Sequence, residues 1–393
     1  MSSGSPKYIW LIANSYFRWL WKDYAVHLRG KTGLKPLLLV ATEQDKLFYE
    51  KQFGEITDFK ILVRRSPYEA VLQNTSSNRD IDQLLESART FETRFDITLT
   101  RDLLLSDRHL GRGYMPGGSG HPKSRTSERS TLNKSVETTV GQFEFYEELF
   151  DQYPPALVAA YYSGGGLAAK PISLMCREKN IPFRNLTPGR FGSLMFWADD
   201  EYEGSAILQK ALLETEVQLN EAEIEEWRLR LRPTSFSADP GALKTITAYR
   251  SWIFSARQSV RACLQRAYGL MRRYPMARTG YKLTEIIGMY MRTGQHFRQL
   301  DRIAAMELPP LGGRKIVYFP LQQEPEASIQ VLAPEHSNQF ATILELALSL
   351  PSDAILIVKE HVWQMGRRPR GFYEAILELP NVVLMHPESS SRE

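Results

Sequence analysis

Cysteine is scarce: only Cys176 and Cys263 occur in 393 residues, far apart in the chain. Two such residues build neither a disulfide framework nor a zinc-ligand pattern, and a reducing cytoplasm is the compartment that fits. Long apolar runs are also absent. None reaches the roughly 18–20 residues that span a bilayer. The first residues lack the basic start and apolar core of a secretory signal. The net charge is only +4, a mild balance for this size. With 43% hydrophobic and 24% charged residues, the chain has material for real cores and is not wholly disordered. Its length allows two or three domains.

What is present is an alternation of short apolar runs with amphipathic ones. It is clearest near the carboxyl end. Lys315 to Pro320, Ala354 to His361 and Val382 to Met385 are predicted strands; Asn338 to Leu350 and Gly371 to Leu379 are predicted helices. Strands alternating with helices of this size imply a parallel sheet, buried on both faces and binding ligands at its carboxyl edge. The alternation stops after three strands, so this domain is expected to be incomplete. The amino-terminal region reads the same way. Tyr8 to Ala13, Leu37 to Ala41, Phe59 to Val63 and Ala156 to Tyr162 are strands. Helices fall over Phe17 to Leu28, Glu43 to Gln52 behind an N-cap at Thr42, Ile81 to Arg94, Val136 to Tyr153 and Leu167 to Lys179. Ile97 to Leu105 fits helix or strand equally. Gly111 to Ser135, rich in Gly, Ser, Arg and Lys, reads as a flexible loop.

From about Ser205 to Ala305 the strand signal vanishes. Ile207 to Leu229 is predicted as one long helix with an acidic outer face, and Leu243 to Ala305 as a helical region broken near Pro275. Between Thr245 and Ile303 stand eleven Lys or Arg residues and two acids, Glu285 and Asp301. The fold class expected is therefore α/β: two Rossmann-like domains, 1–204 (with the loop 111–135) and 311–393, joined by a helical stretch, 205–310.

Several groups of residues suit chemistry. Gly164, Gly165 and Gly166 sit between a strand and a helix, where backbone amides bind a phosphate or a sugar edge. The spacing is not Gly-x-Gly-x-x-Gly, and a plain tight turn explains it equally well. Asp107, Arg108 and His109 precede the glycine-rich loop; Asp107 and Arg108 are candidates for acid/base work on a hydroxyl, against a surface ion-pair cluster. Glu43, at the end of a predicted strand, is a further carboxylate candidate, although a first-turn helix acid accounts for it too. Arg184 and Arg190 flank Leu186-Thr187-Pro188-Gly189, positions for clamping a phosphate or for a salt bridge. The sharper pattern is Phe319 to Ser328 followed by Val358-Lys359-Glu360-His361. Both segments leave the carboxyl ends of neighbouring strands. Lys359 and His361 suit phosphate oxygens there; Glu326 and Ser328, with Gln323 in the same turn, suit ribose or sugar hydroxyls. The basic helical region, with Tyr249, Trp252, Phe254 and Tyr268 among its arginines, fits a solvated face or an anionic membrane surface. It lacks the helix-turn-helix or RNP patterns of nucleic-acid readers.

The stretch Tyr318 to Ser328, then Leu350-Pro351, Val358 to His361, Phe372-Tyr373 and Leu379 to Val382, resembles the bacterial capsule and surface-polysaccharide biosynthesis family, whose members are similar to two-domain GT-B glycosyltransferases. A looser likeness extends over Pro155 to Arg190. The resemblance implies an acceptor-binding first domain and a donor-binding second domain. It implies sugar transfer from a nucleotide sugar to a glycan or glycolipid acceptor at the inner face of the plasma membrane, with Lys359 and His361 near the donor phosphates and Glu326 at the crevice. No metal and no cofactor beyond the nucleotide-sugar substrate is expected, since Lys, Arg and helix N-termini supply the positive charge. The family tends to follow Lys-Glu-His with Pro, where this chain has Val362. Two other classes stay open: a non-catalytic module that binds a membrane or partner, and a nucleotide-sugar epimerase.

Overall fold

The computed structural model of the chain describes residues 8–13, 18–54, 59–64, 66, 71, 80–105, 107–111, 121–161, 166–189, 194–200, 202, 204–216, 220–231, 240–272, 280–310 and 312–389. In chain order the elements begin β1 (Tyr8–Ile12), α1 (Arg18–Thr32), β2 (Lys35–Val40), α2 (Glu43–Phe53), β3 (Lys60–Val63) and α3 (Ile81–Phe95). A single π-helical turn (Thr100–Leu104) and α4 (Arg125–Arg129) come after them. Next are α5 (Leu132–Gln152), β4 (Pro155–Tyr161), α6 (Lys170–Glu178), β5 (Phe183–Pro188), β6 (Met195–Ala198), α7 (Ala206–Glu214) and α8 (Glu221–Leu231). The remainder runs α9 (Pro240–Thr247), α10 (Trp252–Met271), α11 (Leu283–Ile303), β7 (Lys315–Pro320), α12 (Ala327–Gln330), α13 (Gln339–Ser349), β8 (Ala354–Lys359), α14 (Phe372–Leu377) and β9 (Val382–Met385).

These elements form two units. The first contains residues 1–99 and 131–231, the second 100–130 and 232–393. In the first, the sheet order is β3-β2-β1-β4-β5-β6. Its first five strands are parallel and β6 pairs antiparallel with β5. That is the doubly wound order, with the direction of winding reversing between β1 and β4. The near-continuous burial of Ile9 to Ile12 and Pro36 to Val40 is what helices on both faces of a parallel sheet require. Thr42 caps α2, its hydroxyl accepting from the Asp45 amide.

The second unit carries the parallel sheet β7-β8-β9. Its core joins Leu321, Leu356, Val358 and Leu384 to Ile343 of α13, Tyr373 and Ile376 of α14, and Phe297 and Leu300 of α11. Helices occupy most of the described residues from 206 to 303, and the last of them, α11, packs Phe297 and Leu300 into this core. Burying Phe297 and Leu300 contributes about 1.5–3 kcal/mol each. Among the described residues β7 pairs with β8 alone, and Ile316 and Tyr318 stay exposed.

Four expectations need correction. Of the loop placed over 111–135, residues 121–135 are not loop but carry α4 and the start of α5, and 112–120 lie outside the described residues. Ser124 caps α4 through a reciprocal bond with Ser127, and Thr131 caps α5. These local caps override a composition that reads as loop. The single helix expected over Ile207 to Leu229 is two, α7 and α8, because Thr215 leaves α7 with extended backbone. Ile97 to Leu105 is neither a regular helix nor a strand but contains the π-turn. Strand β6 was not anticipated: an edge strand of four residues gives too short a pattern to read.

Candidate functional site at the carboxyl edge of the second sheet

Pro320 of β7 faces Lys359 of β8 in the ladder, so the chain leaves both strands side by side. The two exit segments are pinned from below by a buried polar network. Arg368 donates from Nε to Glu360 Oε2 at 2.8 Å and from Nη2 to Glu360 Oε1 at 2.9 Å. Its Nη2 also donates to the Gln322 carbonyl at 3.0 Å, and its Nη1 lies 3.3 Å from Glu324 Oε1. Tyr373 donates its hydroxyl to Glu360 Oε2 at 2.9 Å. Gln339 joins Gln322 and Glu324, and Gln364 accepts from the Glu324 amide. The side chains of Arg368, Glu360 and Glu324 are fully buried. Burial, opposed by Arg368, raises the Glu324 carboxyl above its ordinary value.

On this platform stand the two turns. The first is Glu324-Pro325-Glu326, joined by a cis peptide before Pro325. The Pro325 carbonyl accepts from Arg108 Nε at 3.1 Å, and Gln330 accepts from the Glu326 amide. In the second, His361 caps the short turn Val362–Gln364, its Nδ1 accepting from the Trp363 amide at 3.3 Å. The ring therefore carries its proton on Nε2. Burial holds this imidazole below its usual value, while the carboxylates of Glu360 and Glu326 pull it up. Glu326 and His361 thus sit within electrostatic reach of each other.

Arg367 completes the group. Its Nε and Nη1 are shut off from solvent and have no hydrogen-bond partner. Burial and then the Arg108 guanidinium lower its proton affinity, while Tyr281 and Glu326 work the other way. Tyr281 stacks on His109 with ring centroids 4.9 Å apart, and its hydroxyl lies 2.9 Å from His121 Nε2. Arg367 thus lies within electrostatic reach of a second guanidinium, Arg108, and of the Glu326 carboxylate, while Arg368 is engaged by Glu360 and Glu324.

The backbone that aims Arg367 is fixed by Gly366. Its φ is +79°, a region that favours glycine, and an added Cβ would meet Thr293 Oγ1 at 2.5 Å and the Met289 carbonyl at 2.8 Å. Its carbonyl accepts from Arg292 Nε and its amide donates to His296 Nδ1 at 3.2 Å. Gly366→Ala is expected to destabilise the second unit by about 1–3 kcal/mol, read as a lowered urea midpoint. An unchanged midpoint would mean that the turn is not locked on α11.

His296 and His361 both accept through Nδ1, and burial lowers both from their ordinary value. As pH falls through about 6.5, the unfolded chain takes up these protons first. The stability they contribute is therefore full above that pH and is lost below it. The raised Glu324 acts in the opposite sense, so the variant comparison isolates the histidines. The His296→Gln, His361→Gln double variant should lose less Tm than the wild type between pH 7.5 and 5.5, by calorimetry. Parallel pH profiles would refute the assignment.

The other expected residues are dispersed. Asp107 is buried and its Oδ1 accepts from the amides of His109 and Leu110, which commits it to the turn that presents Arg108. Lys359 donates to the Ser389 carbonyl beyond β9, and burial lowers its proton affinity. Gln323 is half-buried in the first turn. Ser328 belongs to α12, and its side chain lies outside the described residues. Arg184 pairs with Asp199 at 2.9 Å. Glu43 lies in the first unit, exposed in the first turn of α2 and 4.0 Å from Lys46. Gly166 has φ +77° ahead of α6; Gly164, Gly165 and Arg190 lie outside the described residues. Sequence reasoning missed Tyr281, Arg367, Arg368 and the Glu324–Glu360 pair. The run Gly366-Arg367-Arg368-Pro369-Arg370, just past a strand end, was the available signal. One trio has metal-ligand geometry among the described residues: Asp301, His386 and Glu388. Arg250 already bridges it, donating to Asp301 Oδ1 at 2.7 Å and to Glu388.

No family model matches the chain, and no curated protein matches it. Among solved structures, the UDP-GlcNAc 2-epimerase from Neisseria meningitidis bound to UDP-GlcNAc is similar over 97% of this chain and 73% of that chain, at 10% identity and a TM-score of 0.23. A likeness of that grade adds nothing to what the sheet topology already shows: an α/β chain with two Rossmann-like units.

Proposed function

We propose that the chain handles a nucleotide-activated sugar, whose diphosphate lies between Arg108 and Arg367, and that it transfers that sugar to a glycan or glycolipid during capsule or surface-polysaccharide synthesis. One observation carries the reading: a buried guanidinium edge, Nε and Nη1 of Arg367, without a partner. Such an edge costs free energy unless an oxyanion completes it. It stands beside a second arginine at the carboxyl edge of a parallel sheet, where α/β folds bind ligands. The Nε2–H of His361 adds a neutral donor for a phosphate oxygen, and Glu326 an acceptor for a sugar hydroxyl. In the transfer, an acceptor oxygen bonds to the anomeric carbon while the bond to the diphosphate oxygen breaks. The departing charge falls to the two arginines. The proton of the acceptor hydroxyl passes to water.

The test is a panel of nucleotide sugars incubated with and without oligosaccharide acceptors and followed by NMR of the anomeric proton. Acceptor-dependent release of nucleoside diphosphate supports transfer. Conversion of the donor without acceptor replaces transfer with epimerisation. No turnover, together with no binding of pyrophosphate by calorimetry, overturns the reading.

A further inference from the structure

Helix α10 faces the wrong way for a globular core. The residues it buries are Ser255 and Gly269. Those it leaves in solvent include Trp252, Ile253, Val260, Leu264, Leu270 and Met271. Trp252 is 70% exposed, Leu264 67% and Met271 75%. The small side of the helix is used for close approach: Ser255 Oγ donates to the Tyr249 carbonyl at 3.3 Å, and α10 packs along α11. At 3.6 residues per turn, the exposed apolar positions fall within an arc of roughly 120°. Arg257, Arg261 and Arg272, all exposed, border one side of that arc. Arg266 lies on the other side, near enough to Arg125 of α4 to feel its charge. No Asp or Glu occurs from Trp252 to Arg272.

We propose that α10 is an interfacial anchor that lies in the plane of an anionic bilayer surface, its apolar arc among the acyl chains and its arginines at the level of the lipid phosphates. The charge pattern selects this occupant. An apolar stripe edged by cations, without a single acid, complements a surface that is apolar within and anionic at its rim. Trp252 and Tyr268, near the two ends of the helix, are residue types that settle at such a boundary. A second copy related by a two-fold axis would bring the same acid-free, arginine-edged surface against itself. Among the described residues no helix is long and apolar enough to cross a membrane, so the contact would be along the surface.

The chain supplies its own reporter. Cys263 is exposed within the apolar arc and Cys176 is buried, so an environment-sensitive thiol probe labels Cys263. The full chain, labelled there, is titrated with phosphatidylcholine vesicles and with vesicles that also contain phosphatidylglycerol. Emission should rise and shift to the blue on the anionic vesicles only, and the binding should weaken with salt. Arg257→Gln and Arg261→Gln should each weaken it by about fivefold. Val260→Asp with Leu264→Asp should abolish it. Both sites are exposed, so melting by circular dichroism and pyrophosphate binding serve as controls that stay at wild-type values. No emission change on either vesicle, or equal binding to neutral vesicles that ignores the arginine variants, overturns the proposal. So does self-association in lipid-free solution that the double aspartate variant removes, for it makes the arc an interface between copies.

Discussion

Arg367→Gln should weaken the binding of pyrophosphate or a nucleoside diphosphate while making the ligand-free protein no less stable. The two effects share one cause. In the free protein the guanidinium edge is dehydrated and unpaired, so removing it relieves a cost; with an oxyanion present, the same edge makes charge-assisted bonds. Each such bond is worth about 1.5–3 kcal/mol, or roughly 10- to 100-fold in Kd. Arg108→Gln should lose affinity by a similar factor, but it also gives up the bond to the Pro325 carbonyl, so its stability should fall slightly. Arg370→Gln, an exposed arginine of the same turn, should do neither. Calorimetric titration and thermal melting of the three variants give the result. An Arg367→Gln protein that binds as tightly as wild type removes the site from the second unit.

The neighbouring arginine should behave in the opposite way. Arg368→Met strips the counter-charge from Glu360 and Glu324, both fully buried. Leaving buried carboxylates uncompensated costs about 3–5 kcal/mol, a large share of a domain's net stability. Urea denaturation should show it as a lowered midpoint. Adding Glu360→Gln and Glu324→Gln should recover much of the loss, because the charges that needed Arg368 are gone. A single variant that melts with the wild type would mean that the network is hydrated and idle. Two adjacent arginines, one held for a ligand and one for the fold, thus separate experimentally by the sign of their stability change.

The range of each interaction decides whether it was legible in the sequence. Both parallel sheets were legible, since each strand is a short apolar run and each helix carries its own period. The N-cap at Thr42 was legible for the same reason: donor and acceptor lie three residues apart. Glu326 and His361 were legible as a pair, because consecutive parallel strands carry their exit turns to one edge. The contacts that stayed hidden join distant segments. Arg108 reaches Pro325 across 217 positions and Tyr281 meets His121 across 160. Arg368 looked like one basic residue among several in a turn. Only the fold shows that it is paired with two buried carboxylates while the Nε and Nη1 of Arg367 have no hydrogen-bond partner. For α10 the basic and aromatic composition was legible as an outward or membrane-facing surface, but the side of the helix that meets protein was not, since an amphipathic pattern does not name it.

The chain visits the second unit twice, first as residues 100–130 and then from 232 onward. Neither unit is therefore a portable cassette. A gene fragment starting at residue 232 would make the sheet and Arg367 yet leave behind Arg108, along with the His121 and His109 rings that bracket Tyr281. Recombination that shuffles this protein with others can exchange the sheet intact only by carrying over two separate stretches of coding sequence. Co-expressing 100–130 as a separate peptide with 232–393 is the direct way to ask whether the short stretch finds its place without the covalent link.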